Sequence, residues 1–232
     1  MPLPNFIIIG AMNSSTSTLH SNLQLHPEIG MSKLKEPHYF DKFFDKPTSY
    51  YMDQFSNAKR LNGESTPAYT WNHIFPEVPE RIFNTVANVK LIYLLRDPID
   101  RIISHLHRDL YRGRFKFKDI NKVVLSNSNY VQISQYYTQL SYYLEYFDLD
   151  KIHILETNSL QKDTNQALNE ICRFLGAEEF DSTKWIKARN QSSRKYLIRY
   201  YDTAHRYMPR QMARLYHLLF YVANEKIARP IL

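Results

Sequence analysis

The chain has 232 residues, of which 44% are hydrophobic and 14% aromatic, enough for one sizeable α/β domain, and no linker or low-complexity tract divides it. A net charge of +7 and a pI near 9.3 favour an anionic partner, yet no polybasic block, zinc-finger spacing or basic heptad marks a nucleic-acid binder. One cysteine excludes an intramolecular disulfide framework, and the N-terminal apolar run is too short for a signal core or a membrane span, so a soluble cytoplasmic protein is expected.

In chain order, Phe6, Ile7, Ile8 and Ile9 form an apolar β run that stops at Gly10. After a hydroxyl-rich turn, Leu19, Leu23 and Leu25 recur at roughly helical spacing, which predicts strand, turn and helix. Weaker strands are predicted near 29–32 and 61–64, and stronger ones in "KLIYLLR", 90–96, and "KIHILET", 151–157. Asp97 can cap a helix whose first residue is Pro98, so the strand ends at Arg96 and a helix follows at once. Helices are also expected over 131–147, with Tyr136, Leu140, Tyr143, Leu144 and Phe147 on one face, and over 159–175, stopped by Gly176. Leu168, Ile171, Cys172 and Leu175 make an apolar stripe on the latter, so Cys172 reads as a buried structural thiol. The excess of tyrosine, eighteen against five glycines, is assigned to helix packing. Alternating strands and helices imply a mostly parallel central sheet flanked by helices, one domain over 1–232, with ligands at the strands' carboxyl ends.

Those ends carry the chemistry. "GAMNSSTSTL" is no ATP-binding Walker motif, since Ser15, Thr16 and Ser17 stand where Gly-Lys-Ser/Thr is required. Its amides and the hydroxyls of Ser14, Thr16, Ser17 and Thr18 still offer donors to phosphate oxygens at a helix N-terminus, although alone it reads equally as a serine-rich cap. Glu36 and His38 in "SKLKEPHYFD", 32–41, could take a proton from an attacking hydroxyl, though an isolated pair is more often a solvated loop. Arg96 sits at a strand's end, and Ser104, about two turns along the helix, shares a face with Arg101. His105 and His107, two apart on a helix, point to different faces, which argues against a metal.

The first of these segments resembles the 5′-phosphosulfate loop of sulfotransferases that use 3′-phosphoadenosine 5′-phosphosulfate (PAPS), close to Gly-Ala-Met-Lys-Ser-Gly-Thr-Thr-Ser-Leu and followed by a helix ending in His-Pro. Gly10, Ala11, Met12, Ser14, Thr16, Leu19, His26 and Pro27 match. Asn13 replaces the family's Lys or Arg, Ser15 its Gly and Ser17 its usual Thr. The Lys-Glu-Pro-His segment is similar to that of the bacterial and heparan-sulfate-modifying branches, which gives Glu36 the role of general base and puts His38 in the acceptor pocket. "NGESTPAYTW", 62–71, looks like Gly-Glu-x-Ser/Thr-Pro-x-Tyr, with Glu64, Pro67 and Tyr69 expected to shape the acceptor side. "RDPIDRIIS" matches the 3′-phosphate signature, with Arg96 and Ser104 as ligands. "KARNQSSRK", 187–195, resembles a basic segment that closes over the nucleotide, adding Arg189, Asn190 and Arg194.

The resemblance runs from about residue 4 to 195 and implies a three-layer, P-loop-like fold. It also implies sulfuryl transfer from PAPS to a hydroxyl, or an amine, of a small molecule or glycan, leaving 3′,5′-adenosine diphosphate (PAP) and needing no metal. Residues Asn13, Ser14, Ser15, Thr16, Ser17 and Thr18 would hold the phosphosulfate. The chain stops sooner than relatives do, which suggests a thin side or a homo-oligomer. In the family the basic residue at position 13 contacts the bridging oxygen, so asparagine leaves three outcomes open: reduced activity, recruitment of another cation, or an inactive nucleotide-binding protein.

Overall fold

In the computed structural model, residues 3–55, 59–86, 88–116 and 120–179 are described, all within the unit Met1–Ala188. The apolar runs become five strands: β1 (Phe6–Gly10), β2 (Ile29–Met31), β3 (Leu61–Ser65), β4 (Lys90–Leu95) and β5 (Ile152–Glu156). They pair in the order β2-β3-β1-β4-β5, every pair parallel, so all carboxyl ends share one edge. The described helices are α1 (Thr16–Leu23), α2 (Tyr39–Lys42), α3 (Thr48–Met52), α4 (Val78–Thr85), α5 (Pro98–Tyr111), α6 (Ile120–Ser126), α7 (Asn129–Gln132), α8 (Tyr136–Leu144), α9 (Thr157–Lys162) and α10 (Thr164–Leu175). None is long and apolar enough to cross a membrane.

Alternation along β1 sets the layers. Ile7 and Ile9 enter a core with Tyr39, Phe40, Tyr51, Val78, Ile82 and Tyr143, from α2, α3, α4 and α8. Phe6 and Ile8 enter a second core with Leu19, Leu23, Leu160, Leu168, Ile171 and Cys172, from α1, α9 and α10. A three-layer fold results. Cys172 is fully buried and its thiol is pushed up to about 11 by that burial, as a structural thiol should be.

Two expected helices are broken, each by a polar competitor. In 131–147, α7 ends at Gln132 and α8 starts at Tyr136, because the Arg101 guanidinium takes the Tyr130 carbonyl and the Ser134 hydroxyl that lie at the break. In 159–175, the Asp163 carboxylate caps α10 by accepting from Gln166 N–H at 2.9 Å, which separates it from α9. Gly176 ends α10 as expected, at φ 78°, with Ala177 N–H bonded to Cys172 O at 2.8 Å. The tyrosine excess proves to be core as well as helix surface: Tyr51, Tyr69, Tyr93 and Tyr143 are buried in the first layer.

Gly63 faces the Phe6 ring so closely that an added Cβ would lie 2.2 Å from its Cζ. Gly63→Ala should therefore lower stability by about 1–3 kcal/mol, the usual cost of overpacking a full core. An unchanged midpoint in urea denaturation would contradict this packing.

Candidate active site

The turn after β1 is held from two sides. Ala11 N–H bonds Leu94 O at 2.8 Å, and Thr157 Oγ1, at the start of α9, donates to Ser14 O at 3.2 Å. The turn bends through two left-handed residues, Asn13 at φ 65° and Ser15 at φ 63°. Asparagine tolerates this region; serine, where the family has glycine, is strained there. Ser14, Thr16 and Thr18 are buried, Ser15 and Asn13 half-buried, and Ser17 exposed.

Ser15 occupies the cap position of α1 but makes no side-chain cap bond, so the serines do not serve as a helix cap. Asn13 Nδ2 and Ser14 Oγ are buried without a protein partner. Uncapped amides at a helix start beside unpaired donors fit the oxygens of a phosphosulfate.

The segment after β2 runs along β3, with Ser32 N–H on Gly63 O at 2.8 Å and Glu36 N–H on Ser65 O at 3.1 Å. Glu36 and His38 are also left-handed, at φ 68° and 53°. Among the described residues, the non-glycine residues at positive φ are these two and the two of the β1 turn. Strain of this kind persists where surrounding structure over-determines it, and it gathers at functional sites.

Glu36 is largely exposed, and its carboxylate takes Lys35 Nζ at 2.6 Å. His38 Nε2 lies 3.7 Å from Glu36 Oε2, while His38 Nδ1 is 2.8 Å from Asp41 Oδ2, whose side chain is fully buried. Asp41 thus fixes the ring with Nε2 turned toward Glu36. His20, buried on α1, has Lys35 and Glu36 as charged neighbours, and burial lowers it to about 4.

On the other flank, Asp97 caps α5 as expected, accepting from Ile99 N–H at 2.9 Å and Asp100 N–H at 3.0 Å. Arg96 stands just beyond β4, and its Nη1 reaches Asn13 O at 3.3 Å, so it touches the β1 turn itself. Ser104 is half-buried on α5 and shares a face with His107 by the i, i+3 rule. Burial and then the charge of Arg96 lower His107. His105 instead packs on Tyr130, ring centroids 4.4 Å apart, with Nε2 3.4 Å from Asp109 Oδ2. Arg101 is fully buried and serves the α7–α8 break. Arg189, Asn190 and Arg194 lie outside the described residues.

Glu64, Pro67 and Tyr69 are all buried, because β3 is an inner strand and Tyr69 packs in the core beside it, so any part they take in shaping the acceptor side runs through packing. Sequence reasoning missed Asp41, Thr157 and Tyr136. The Tyr136 hydroxyl donates to Arg96 O at 2.8 Å and lies beside Ser14. Asp41 stood in the segment already singled out, three residues after His38, which was the available signal.

A parallel sheet with a turn of uncapped amides after one strand and a strained acid–imidazole pair beside it defines a P-loop-like α/β domain. The chain belongs to the sulfotransferase domain family, which matches residues 3–221. It is 41% identical over 110 residues to membrane-associated sulfotransferase kil1 of Dictyostelium discoideum, covering 45% of this chain and 23% of that protein. It is 30% identical over 190 residues to heparan sulfate glucosamine 3-O-sulfotransferase 5 of Mus musculus, covering 75% of this chain and 53% of that one. The chain therefore spans about half or less of these relatives. In fold it is similar to a sulfotransferase from Alicyclobacillus acidocaldarius, with a TM-score of 0.68 at 21% identity over 88% of this chain and 93% of the other. It is also similar to mouse sulfotransferase SULT7A1 complexed with PAP, with a TM-score of 0.53 at 19% identity over 77% and 61%.

Ser15→Gly should raise stability by roughly 0.5–1 kcal/mol, the left-handed strain relieved less the flexibility gained by the unfolded chain. A lower urea midpoint in the variant would contradict the strained turn.

Proposed function

We propose that the chain moves a sulfuryl group from PAPS to a hydroxyl, or an amine, of a small molecule or glycan. The observation that carries this reading is the pairing of strain: two left-handed residues in the donor turn and two in the acid–imidazole segment, on one edge of the sheet. The relative acting on heparan sulfate glucosamine supports a glycan among the acceptors.

In this reading the turn Asn13–Thr18 and the start of α1 hold the phosphosulfate, and Arg96 and Ser104 anchor the 3′-phosphate, with Arg189 and Arg194 added to it. Glu36 takes the acceptor proton as its oxygen attacks sulfur. The bond from sulfur to the bridging oxygen breaks, and PAP leaves with the electron pair. His38, aligned by Asp41, orients the acceptor. Positioning and charge stabilisation supply most of the rate, and no metal is required.

Asn13 lacks the charge its relatives carry, but its buried, unpartnered Nδ2 remains a donor for the bridging oxygen. Arg96, 3.3 Å from the Asn13 carbonyl, brings positive charge to the same turn. Lys35 is engaged by Glu36, with Nζ 2.6 Å from its Oε1. With Arg96 given to the 3′-phosphate and Lys35 to Glu36, the Asn13 amide is the donor this reading leaves at the bridging oxygen, and nothing observed favours an inactive nucleotide-binding protein.

Calorimetry tests the donor side: PAP should bind and ATP should not, and Arg96→Ala should weaken PAP by about 1.5–3 kcal/mol more than adenosine 5′-monophosphate, which has no 3′-phosphate. Equal losses for the two nucleotides would overturn the 3′-phosphate assignment. On the acceptor side, Glu36→Gln keeps size and loses the proton acceptor, so turnover should fall about 10²–10⁴-fold while PAP affinity holds. Full turnover in that variant would move the role to His38.

A further inference from the structure

Glu64 has no part in the proposed reaction, yet it is a carboxyl fully buried on the inner strand β3. Filling a core with an acid is costly, and an apolar residue would do it more cheaply. Three hydroxyls converge on it. Tyr51 and Tyr69 donate to Oε1 at 2.8 and 3.0 Å, and Thr66 donates to Oε2 at 2.6 Å. The Tyr69 hydroxyl also accepts from Phe40 N–H at 3.3 Å. The Tyr51 ring stacks on Tyr39 at 4.6 Å and meets Phe40 edge-on at 5.0 Å.

Phe40 and Tyr39 belong to α2, the single turn that starts immediately after His38 and contains Asp41. So short a helix has little stability of its own. Its orientation is set by what it hangs from, and much of that is the Glu64 cluster. We propose that Glu64 is a positioning residue for the transfer reaction: through Tyr69 and Tyr51 it holds α2, and thereby the His38–Asp41 pair, at the distance from Glu36 that proton removal requires. The proposal rests on the sulfotransferase reading above.

Glu64 is also placed to make that grip depend on pH. Burial raises its carboxyl to about 7, with the three donor hydroxyls opposing the rise and the charge of Asp41 adding to it. The titratable groups facing it are Asp41 from α2, Tyr51 from α3, Tyr69 from the turn Pro67–Thr70 and Tyr143 from α8. Its register partner on β1 is Ile7, and Arg81 of α4 spends its guanidinium on Phe40 O at 2.8 Å. The sign follows from the donors. Above pH 7 the carboxylate accepts all three charge-assisted bonds; below it, the carboxyl proton competes with them and the hold on α2 loosens.

Glu64→Gln keeps the size and removes the charge. Turnover at pH 8 should fall about tenfold, less than the roughly 10²–10⁴-fold expected of a lost proton acceptor, and the rise in turnover through pH 7 should flatten, with the KM for PAPS unchanged. The amide resonance of Phe40 should show an inflection near pH 7 in the wild-type chain and none in the variant. That spectroscopic readout needs no turnover, so a chain that sulfates nothing would sink the functional reading while still testing the link from Glu64 to α2. Should Glu64→Gln fail to fold, Tyr69→Phe removes the hydroxyl that joins Glu64 to Phe40, leaves the Tyr51 and Thr66 bonds to the carboxylate, and should erase the same inflection. Unchanged turnover at pH 8, or a Phe40 amide that keeps its inflection in Tyr69→Phe, would overturn the proposal.

Discussion

The structure turns on a backbone constraint: at the carboxyl edge of the sheet the chain passes four times through left-handed conformations without a glycine, at Asn13, Ser15, Glu36 and His38. Each such residue costs on the order of 1–2 kcal/mol, so the surroundings must hold them. The parallel ladder does much of this. Thr66 N–H reaches across to Ile8 O at 3.1 Å, Ala11 to Leu94 and Glu36 to Ser65, so the ends of β1, β3 and β4 are tied to the strained segments directly. Both halves of the site, donor turn and acid–imidazole pair, are therefore fixed by the strands that precede or flank them.

The layer behind the acid–imidazole segment is unusually polar for a core. Tyr51, Tyr69 and Tyr143 point hydroxyls into it, and each is pushed well above the ordinary phenol range, by burial first and then by nearby charge, Glu64 for Tyr51 and Tyr69 and Tyr93 ahead of Glu64 for Tyr143. Tyr143 donates to Tyr69 O at 2.8 Å, which links α8 to the turn that follows β3. Rings supply the apolar area and hydroxyls the fixed partners, so the layer is specified more tightly than aliphatic packing alone would achieve. Among the described residues the opposite layer is built from leucine, isoleucine, alanine, Phe6 and Cys172, and it backs the donor turn through α1.

Strand positions were legible because a parallel sheet buried on both faces writes continuous apolar runs, and Asp97-Pro98 and Gly176 marked helix ends by local chemistry alone. The breaks at 133–135 and at Asp163 were not, since a buried arginine or a local capping acid decides them against an unbroken apolar stripe. Motif order exposed Glu36, His38, Arg96 and the β1 turn. It could not show that Asp41 backs His38, that Tyr136 holds the Arg96 carbonyl, or that Glu64 faces inward. Those are long-range or side-chain facts, set by how α2, α8 and β3 pack. The serine-rich turn was ambiguous between cap and anion site until Ser15 was found to make no cap bond.

The account's central claim is that this edge performs sulfuryl transfer without a basic residue at position 13. The most direct measurement is transfer of radioactive sulfur from labelled PAPS, by the chain as it stands, to a panel of glycan and small-molecule acceptors. The account predicts label in at least one acceptor, with one PAP formed for each sulfuryl group moved. Tight PAP binding with no label transferred to any acceptor would contradict it.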